Sequence, residues 1–189
     1  MRKDFGAKTY SYPCPVLMIG TYDENGDPDV MNVAWGGLCL SAPAKIAINI
    51  ATSRKTFKNI MLNKEFTVSP ATEDMYEIAD YFGLESGNSV DKIAKTGVHV
   101  SKAENVNAPL IEEFPLTLEC KVDDIYIFGE RSRVLGLIVN ASADESILGD
   151  DGLPDHKKLK PIIFDPVHNM YTGFGDFIGP AFKAGLKYK

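Results

Sequence analysis

The chain has 189 residues and a net charge of −6, from 20 basic and 26 acidic side chains. Hydrophobic residues make up 44% and charged residues 24%, ordinary values that exclude a disordered tail, a collagen-like fibre and a coiled coil. A polyanion binder would show a basic excess, so neither nucleic acid nor an anionic membrane is an expected partner, and any phosphate must be held by a local basic cluster against the global sign.

In chain order, Met1–Phe5 carries charges but no apolar run, so no secretory signal is expected. The longest apolar stretch, Pro15–Gly20, is far too short to cross a bilayer. Pro15–Tyr22 reads as a strand, Asp23-Glu24-Asn25-Gly26-Asp27 as a turn, and Val30–Leu40 as the return strand of a hairpin. Ala44–Ile50 places Ile46, Ile48 and Ile50 on one face, at strand period. Ser53 reads as the N-cap of a helix to about Leu62, with Phe57, Ile60 and Met61 inward. Phe66–Ser69 is a short strand. Thr72 is the cap expected for a second helix, with Met75, Ile78, Ala79 and Phe82 at helical spacing and Gly83 as its stop. Ser89 is the cap expected for a third, with Val90, Ile93 and Ala94 inward and Gly97 at its end. Leu116, Leu118, Cys120 and Val122 alternate on one side of a strand over Leu116–Val122, and Val134–Val139 reads as a buried strand.

No repeat or linker divides the chain, so residues 1–189 read as one domain. Consecutive strands with few helices predict a mainly β fold, an antiparallel barrel or sandwich with short helices at its ends. Cys14, Cys39 and Cys120 form no C-x-x-C pair and read as buried free thiols in a reducing cytoplasm. His99, His156 and His168 lie outside metal-ligand spacing of one another, so no metal site is expected. Gly173, Gly175 and Gly179 are spaced one residue too long for a dinucleotide fingerprint. No nucleophile elbow or Walker motif occurs.

The richest stretch is Met31–Ile60. Ala51-Thr52-Ser53-Arg54-Lys55-Thr56 joins a strand end to a helix start. It offers free backbone N–H groups, the positive end of a helix dipole, two cations and three hydroxyls, as an anion site requires. Arg54 suits a bidentate phosphate contact. The same residues also read as an ordinary capped helix with Arg54 and Lys55 solvated. Trp35, the only tryptophan, sits in Asn32-Val33-Ala34-Trp35-Gly36-Gly37. It reads either as a wall for a flat ligand, with the glycines allowing close approach, or as a core anchor. Lys92 falls in the first turn of the third helix, where a cation opposes the dipole. It is either offset by a nearby anionic ligand or simply solvated. The chain thus offers an anion site and a flat-ring site without a nucleophile or an acid–base set, which suits a protein whose cofactor does the chemistry.

In order along residues 10–140, several segments resemble the flavin reductase-like family of FMN-binding split barrels, and within it the flavoredoxin-like branch. They are Pro15–Thr21, Asn32–Trp35, Ser41-Ala42-Pro43, Ala47–Ile50, Ser53–Ile60 and Glu65–Ser69, followed by Ser86-Gly87 with Asp91-Lys92, then Ala108–Ile111 and Leu118–Cys120. The resemblance implies a six-stranded antiparallel, Greek-key-like split barrel that dimerises and binds FMN at the dimer interface. It implies that Ser53, Arg54 and Thr56 hold the phosphate, with Lys92 approaching it. Asn32, Val33, Ala34 and Trp35 then line the isoalloxazine, and Asn49, Ala51 and Thr52 face the ring or ribityl chain. Residues 150–189 form a C-terminal extension packed on the domain or on the partner subunit, and Tyr171 onward helps complete the pocket. Hydride from NADH or NADPH goes to flavin N5 in a reductase; in a flavoredoxin-type carrier, tightly bound FMN exchanges electrons with a redox-protein partner. Many relatives carry Met-Thr where this chain has Val33-Ala34, so a hydroxyl near the ring is missing here.

Overall fold

The structure, a computed structural model, describes all 189 residues. Seven antiparallel strands form the main sheet in the order β3-β2-β6-β9-β10-β5-β4. Their ranges are β2 Leu17–Tyr22, β3 Pro28–Val33, β4 Gly36–Ser41, β5 Ala44–Ala51, β6 Glu65–Pro70, β9 Leu116–Phe128 and β10 Arg131–Ala143. Edge strands β3 and β4 are joined by Ala34 and Trp35 alone. That link spans at most about 11 Å, whereas the edges of a flat seven-stranded sheet would lie about 29 Å apart. The sheet is therefore curled into a barrel, with the Ala34-Trp35 link at its split. Seven strands stand where six were expected, because the return strand read as Val30–Leu40 breaks at this link.

The apolar alternation sorts side chains to two sides. Leu17 and Ile19 of β2 join Ile46, Ile48 and Ile50 of β5, and Phe66, Val68, Cys120 and Val134, inside the barrel. The intervening Val16 and Met18 pack on the outside with Ala79, Phe82, Ile111 and Phe114. A strand buried on both faces reads as a continuous apolar run, as Pro15–Gly20 does. The Phe66 ring seats on Gly136, where a Cβ would come within 2.5 Å of it.

Helix α1 (Lys55–Asn63) starts from Arg54, not Ser53, and no side chain caps it. Thr56, Phe57, Asn59 and Ile60 form its buried face, while Met61 is exposed. The hydroxyl and amide are buried because Thr56 bonds Asp29 and Asn59 bonds Thr21. Thr72 precedes a single 3-10 turn without a side-chain cap bond, and α2 is Tyr76–Leu84. Gly83 lies within α2 rather than stopping it, where its backbone packs on Asn32. Helix α3 (Lys92–Thr96) is capped by Asp91, which accepts from the Ala94 N–H, not by Ser89. It turns Lys92 inward and Ala94 outward, and Gly97 ends it at φ +70°.

Five further short strands complete the fold. β7 (Val100–Lys102) pairs with β8 (Pro109–Ile111). β1 (Cys14–Pro15), β11 (Ile162–Asp165) and β12 (Met170–Gly173) form a separate sheet in the order β1-β11-β12. Part of the C-terminal extension is thus built into the fold. A short helix, α4 (His156–Leu159), is capped by Asp155. Cys14 and Cys120 are buried, but Cys39 is exposed, at the β4 bulge between Leu38 and Leu40. No helix is long and apolar enough to cross a membrane.

Candidate functional site

Where the Ala34-Trp35 link meets the start of α1, the barrel opens into a cleft of about 480 Å³. That lies in the range of small-molecule sites. Nine residues singled out in the sequence line it: Asn32, Val33, Ala34 and Trp35 from the β3 end, Asn49 and Ala51 from β5, Ser53 and Arg54 at the helix start, and Tyr171 from β12.

One end of the cleft is cationic. Arg54 makes no ion pair, and Arg131, opposite Ala51 in the β5–β10 ladder, lines the same space. The uncapped first turn of α1 adds backbone N–H groups and the positive end of the helix dipole. The other end is apolar and aromatic. Trp35 is 48% exposed, so it is no core anchor. Its carbonyl accepts from both the Asn49 backbone N–H at 2.9 Å and Asn49 Nδ2 at 2.8 Å. Asn49 Oδ1 in turn accepts from Arg133 Nε at 3.1 Å. These bonds fix the link between the two edge strands.

Across the cleft, the Tyr171 ring lies 6.1 Å from that of Phe164, tilted at 55°. The Tyr171 hydroxyl donates to Asp80 Oδ1 at 2.8 Å. Burial, then the bond to Asp80, pushes this phenol up to about 12, so it stays a neutral donor. Asn32 donates its amide to the Ala79 carbonyl at 2.9 Å, tying the cleft to α2.

Three expected residues lie elsewhere. Thr52 bonds its backbone N–H to Glu130 in the β9–β10 turn and does not line the cleft. Thr56 is 1% exposed and donates its hydroxyl to Asp29 Oδ2 at 2.7 Å. Lys92 is neither solvated nor open to an anion. It is 3% exposed, 3.5 Å from Asp29 Oδ1, and it donates to the Phe82 carbonyl at 3.4 Å. Burial pulls its ammonium below the usual lysine value, and Asp29 only partly offsets this. The buried carboxylate at the start of α1 is therefore the protein's own.

The sequence pattern did not point to Val16, Met31, Ile50, Arg131 or Phe164, which also line the cleft. Val16, Met31 and Ile50 looked like ordinary strand residues. Arg131 and Phe164 arrive through long-range pairing. A basic residue heading the strand read as Val134–Val139 was the one available signal, and it fixes no location by itself.

A cationic end at a helix start, beside an aromatic slot, fits a ligand with a phosphate and a flat ring. Residues 9–162 match the family model described as flavin reductase like domain. The flavoredoxin of Desulfovibrio vulgaris (Miyazaki F) is 38% identical, covers 98% of this chain and 100% of its own, and superposes with a TM-score of 0.94. The flavoredoxin from Methanosarcina acetivorans is 28% identical over 100% of both chains, with a TM-score of 0.89. An uncharacterised protein of Aquifex aeolicus is 23% identical over 79% of each chain. With the family model spanning most of its length, this split barrel belongs to the flavin reductase-like family.

Proposed function

We propose that the protein binds FMN in this cleft and acts as an NAD(P)H-dependent flavin reductase that passes electrons to an acceptor. The observation that carries the reading is the two-ended cleft: an unpaired Arg54 with Arg131 at an uncapped helix start, facing a half-exposed Trp35 with Phe164 and Tyr171. When bound, FMN supplies hydride acceptance at N5 and onward electron release. Arg54 and Arg131 hold the phosphate, helped by the first N–H groups of α1. Val33, Ala34 and Trp35 line the ring, largely through backbone. No side-chain acid or base is required of the protein, because backbone N–H groups suffice to meet charge developing on the ring. Gly37, two residues after Trp35, has open space where a side chain would stand, so a second flat ring from NADH or NADPH has room to approach, whereas Gly36 packs against Ala47 and Ile48.

A second reading is a flavoredoxin-type carrier with tightly bound FMN and no efficient NAD(P)H oxidation. The 38% identity to a protein named flavoredoxin favours it. The protein acts as a homodimer in this proposal. Leu38 and Leu40 on edge strand β4, and Tyr126, Ile127 and Phe128 at the β9–β10 tip, are exposed apolar side chains that a second subunit would cover. Three cysteines without a disulfide suit the cytoplasm.

An absorbance spectrum of the purified protein tests flavin binding, and anaerobic mixing with NADH or NADPH separates the two roles. The reductase bleaches within seconds. A flavin spectrum that neither nucleotide bleaches supports the carrier, and a colourless protein that takes up no FMN contradicts both.

A further inference from the structure

We infer that residues 174–189 form an arm that seats on a second copy of this chain, in the acidic cavity beside Tyr171; the inference rests on the homodimer reading above. Phe174, Phe177, Ile178, Phe182, Leu186 and Tyr188 are between 53% and 106% exposed. Six large apolar side chains within fifteen residues make an unpartnered surface of the kind that marks an interface. The arm is tied to its own body only at its root. The Phe177 ring lies 4.3 Å from that of His156, and Asp176 pairs with Lys157 at 2.6 Å. Beyond Phe177 its side chains make no hydrogen bond or ion pair with the body. A single 3-10 turn, Ala184–Tyr188, buries none of them.

Charge identifies the seat. After Asp176 the arm carries Lys183, Lys187 and Lys189 and no acidic residue. The rest of the chain therefore holds a larger acidic excess than the chain as a whole. That body opposes an anionic membrane and favours a basic arm. The seat is a cavity of about 570 Å³ between α2 and β12. Glu73, Glu77 and Asp80 line it with Tyr76 and Met170, and no cation is among its ten lining residues. It offers carboxylates for the lysines and an apolar rim for Leu186 and Tyr188. On its own body the arm begins at the cavity wall, at Gly173, yet none of its lysines pairs with these carboxylates. Tyr171 lines both this cavity and the flavin cleft, so an arm seated beside Asp80 would be felt at the cleft through one side chain.

Sedimentation velocity on three proteins tests this: the full chain, a deletion of 174–189, and the Lys183→Glu/Lys187→Glu/Lys189→Glu variant. The full chain should be a dimer. Both altered forms should raise the dimer dissociation constant by about tenfold or more, and adding Glu73→Lys and Glu77→Lys to the triple variant should recover most of that loss. A Glu77→Cys chain mixed with a differently tagged Tyr188→Cys chain, both in a Cys39→Ser background, should form a disulfide between chains under mild oxidation. A monomeric full chain overturns the dimer reading and the arm with it. A dimer equally tight without the arm overturns the arm alone. So does a cross-link that forms only within a chain carrying both cysteines, because the arm then seats on its own body.

Discussion

Arg54 and Lys92 both stand near the start of α1, in two layers with opposite arrangements. In the upper layer, at the cleft, Arg54 makes no ion pair and no side chain caps the helix. In the lower layer, Lys92 and Thr56 converge on Asp29, all three less than 5% exposed. The sequence offers one pool of donors, but burial divides it. Donors that reach the interior must be matched there, because an unpaired buried charge costs several kcal/mol. Only those left at the rim are available to a ligand.

The largest expected effect tests the lower layer. Lys92→Ala leaves the Asp29 carboxylate buried without its cation and should lower stability by about 3–5 kcal/mol, read as the urea midpoint. A loss of a few tenths would mean the pair is solvated, and the two layers would merge. Next comes the upper layer. In the proposed FMN complex, Arg54→Ala would remove a charge-assisted bidentate contact worth about 1.5–3 kcal/mol, so FMN affinity should fall roughly 10- to 150-fold in a fluorescence titration. Its urea midpoint should stay within about 0.5 kcal/mol of wild type.

A neutral replacement of the whole pair, Asp29→Asn with Lys92→Met, should recover most of the stability lost in Lys92→Ala, since removing both charges of a buried pair is close to neutral. FMN affinity should stay within about threefold of wild type, well short of the loss a charged contact would bring. The smallest effect is a pH slope. The Lys92 ammonium is held below its ordinary value of about 10.4. Between the lowered value and the ordinary one the unfolded chain binds more protons, so this group adds stability as pH rises. Wild type should gain relative to the neutral double variant as urea midpoints are followed upward from pH 8. A flat difference would show that the lysine titrates normally.

Much of this was legible in the residues. The alternation of Ile46, Ile48 and Ile50, and the apolar run at Pro15–Gly20, report burial on one face and on both, and they set the barrel strands. The helix-start anion motif and the ring segment Asn32–Trp35 do meet in one cleft. What was hidden is set by distant partners. Val30–Leu40 looked continuous because nothing local shows that residues 34 and 35 join opposite edges of a curled sheet. Thr56 and Lys92 looked like ligands for an anion because Asp29, 27 residues before Thr56, is close only after folding. Arg131 and Phe164 reach the cleft by cross-strand pairing with Ala51 and with Cys14 and Tyr171, which no local spacing encodes. The Ser53 and Ser89 caps failed for a nearer reason: Arg54 takes the extended position before α1, and α3 begins only at Lys92, where Asp91 accepts from the Ala94 N–H.

The most direct test of the two-layer account is an FMN titration of three flavin-free proteins side by side: wild type, Arg54→Ala, and Asp29→Asn with Lys92→Met. The account predicts that only Arg54→Ala loses affinity, by about tenfold or more. Full affinity in Arg54→Ala with a comparable loss in the double variant would contradict it and return Lys92 to the phosphate.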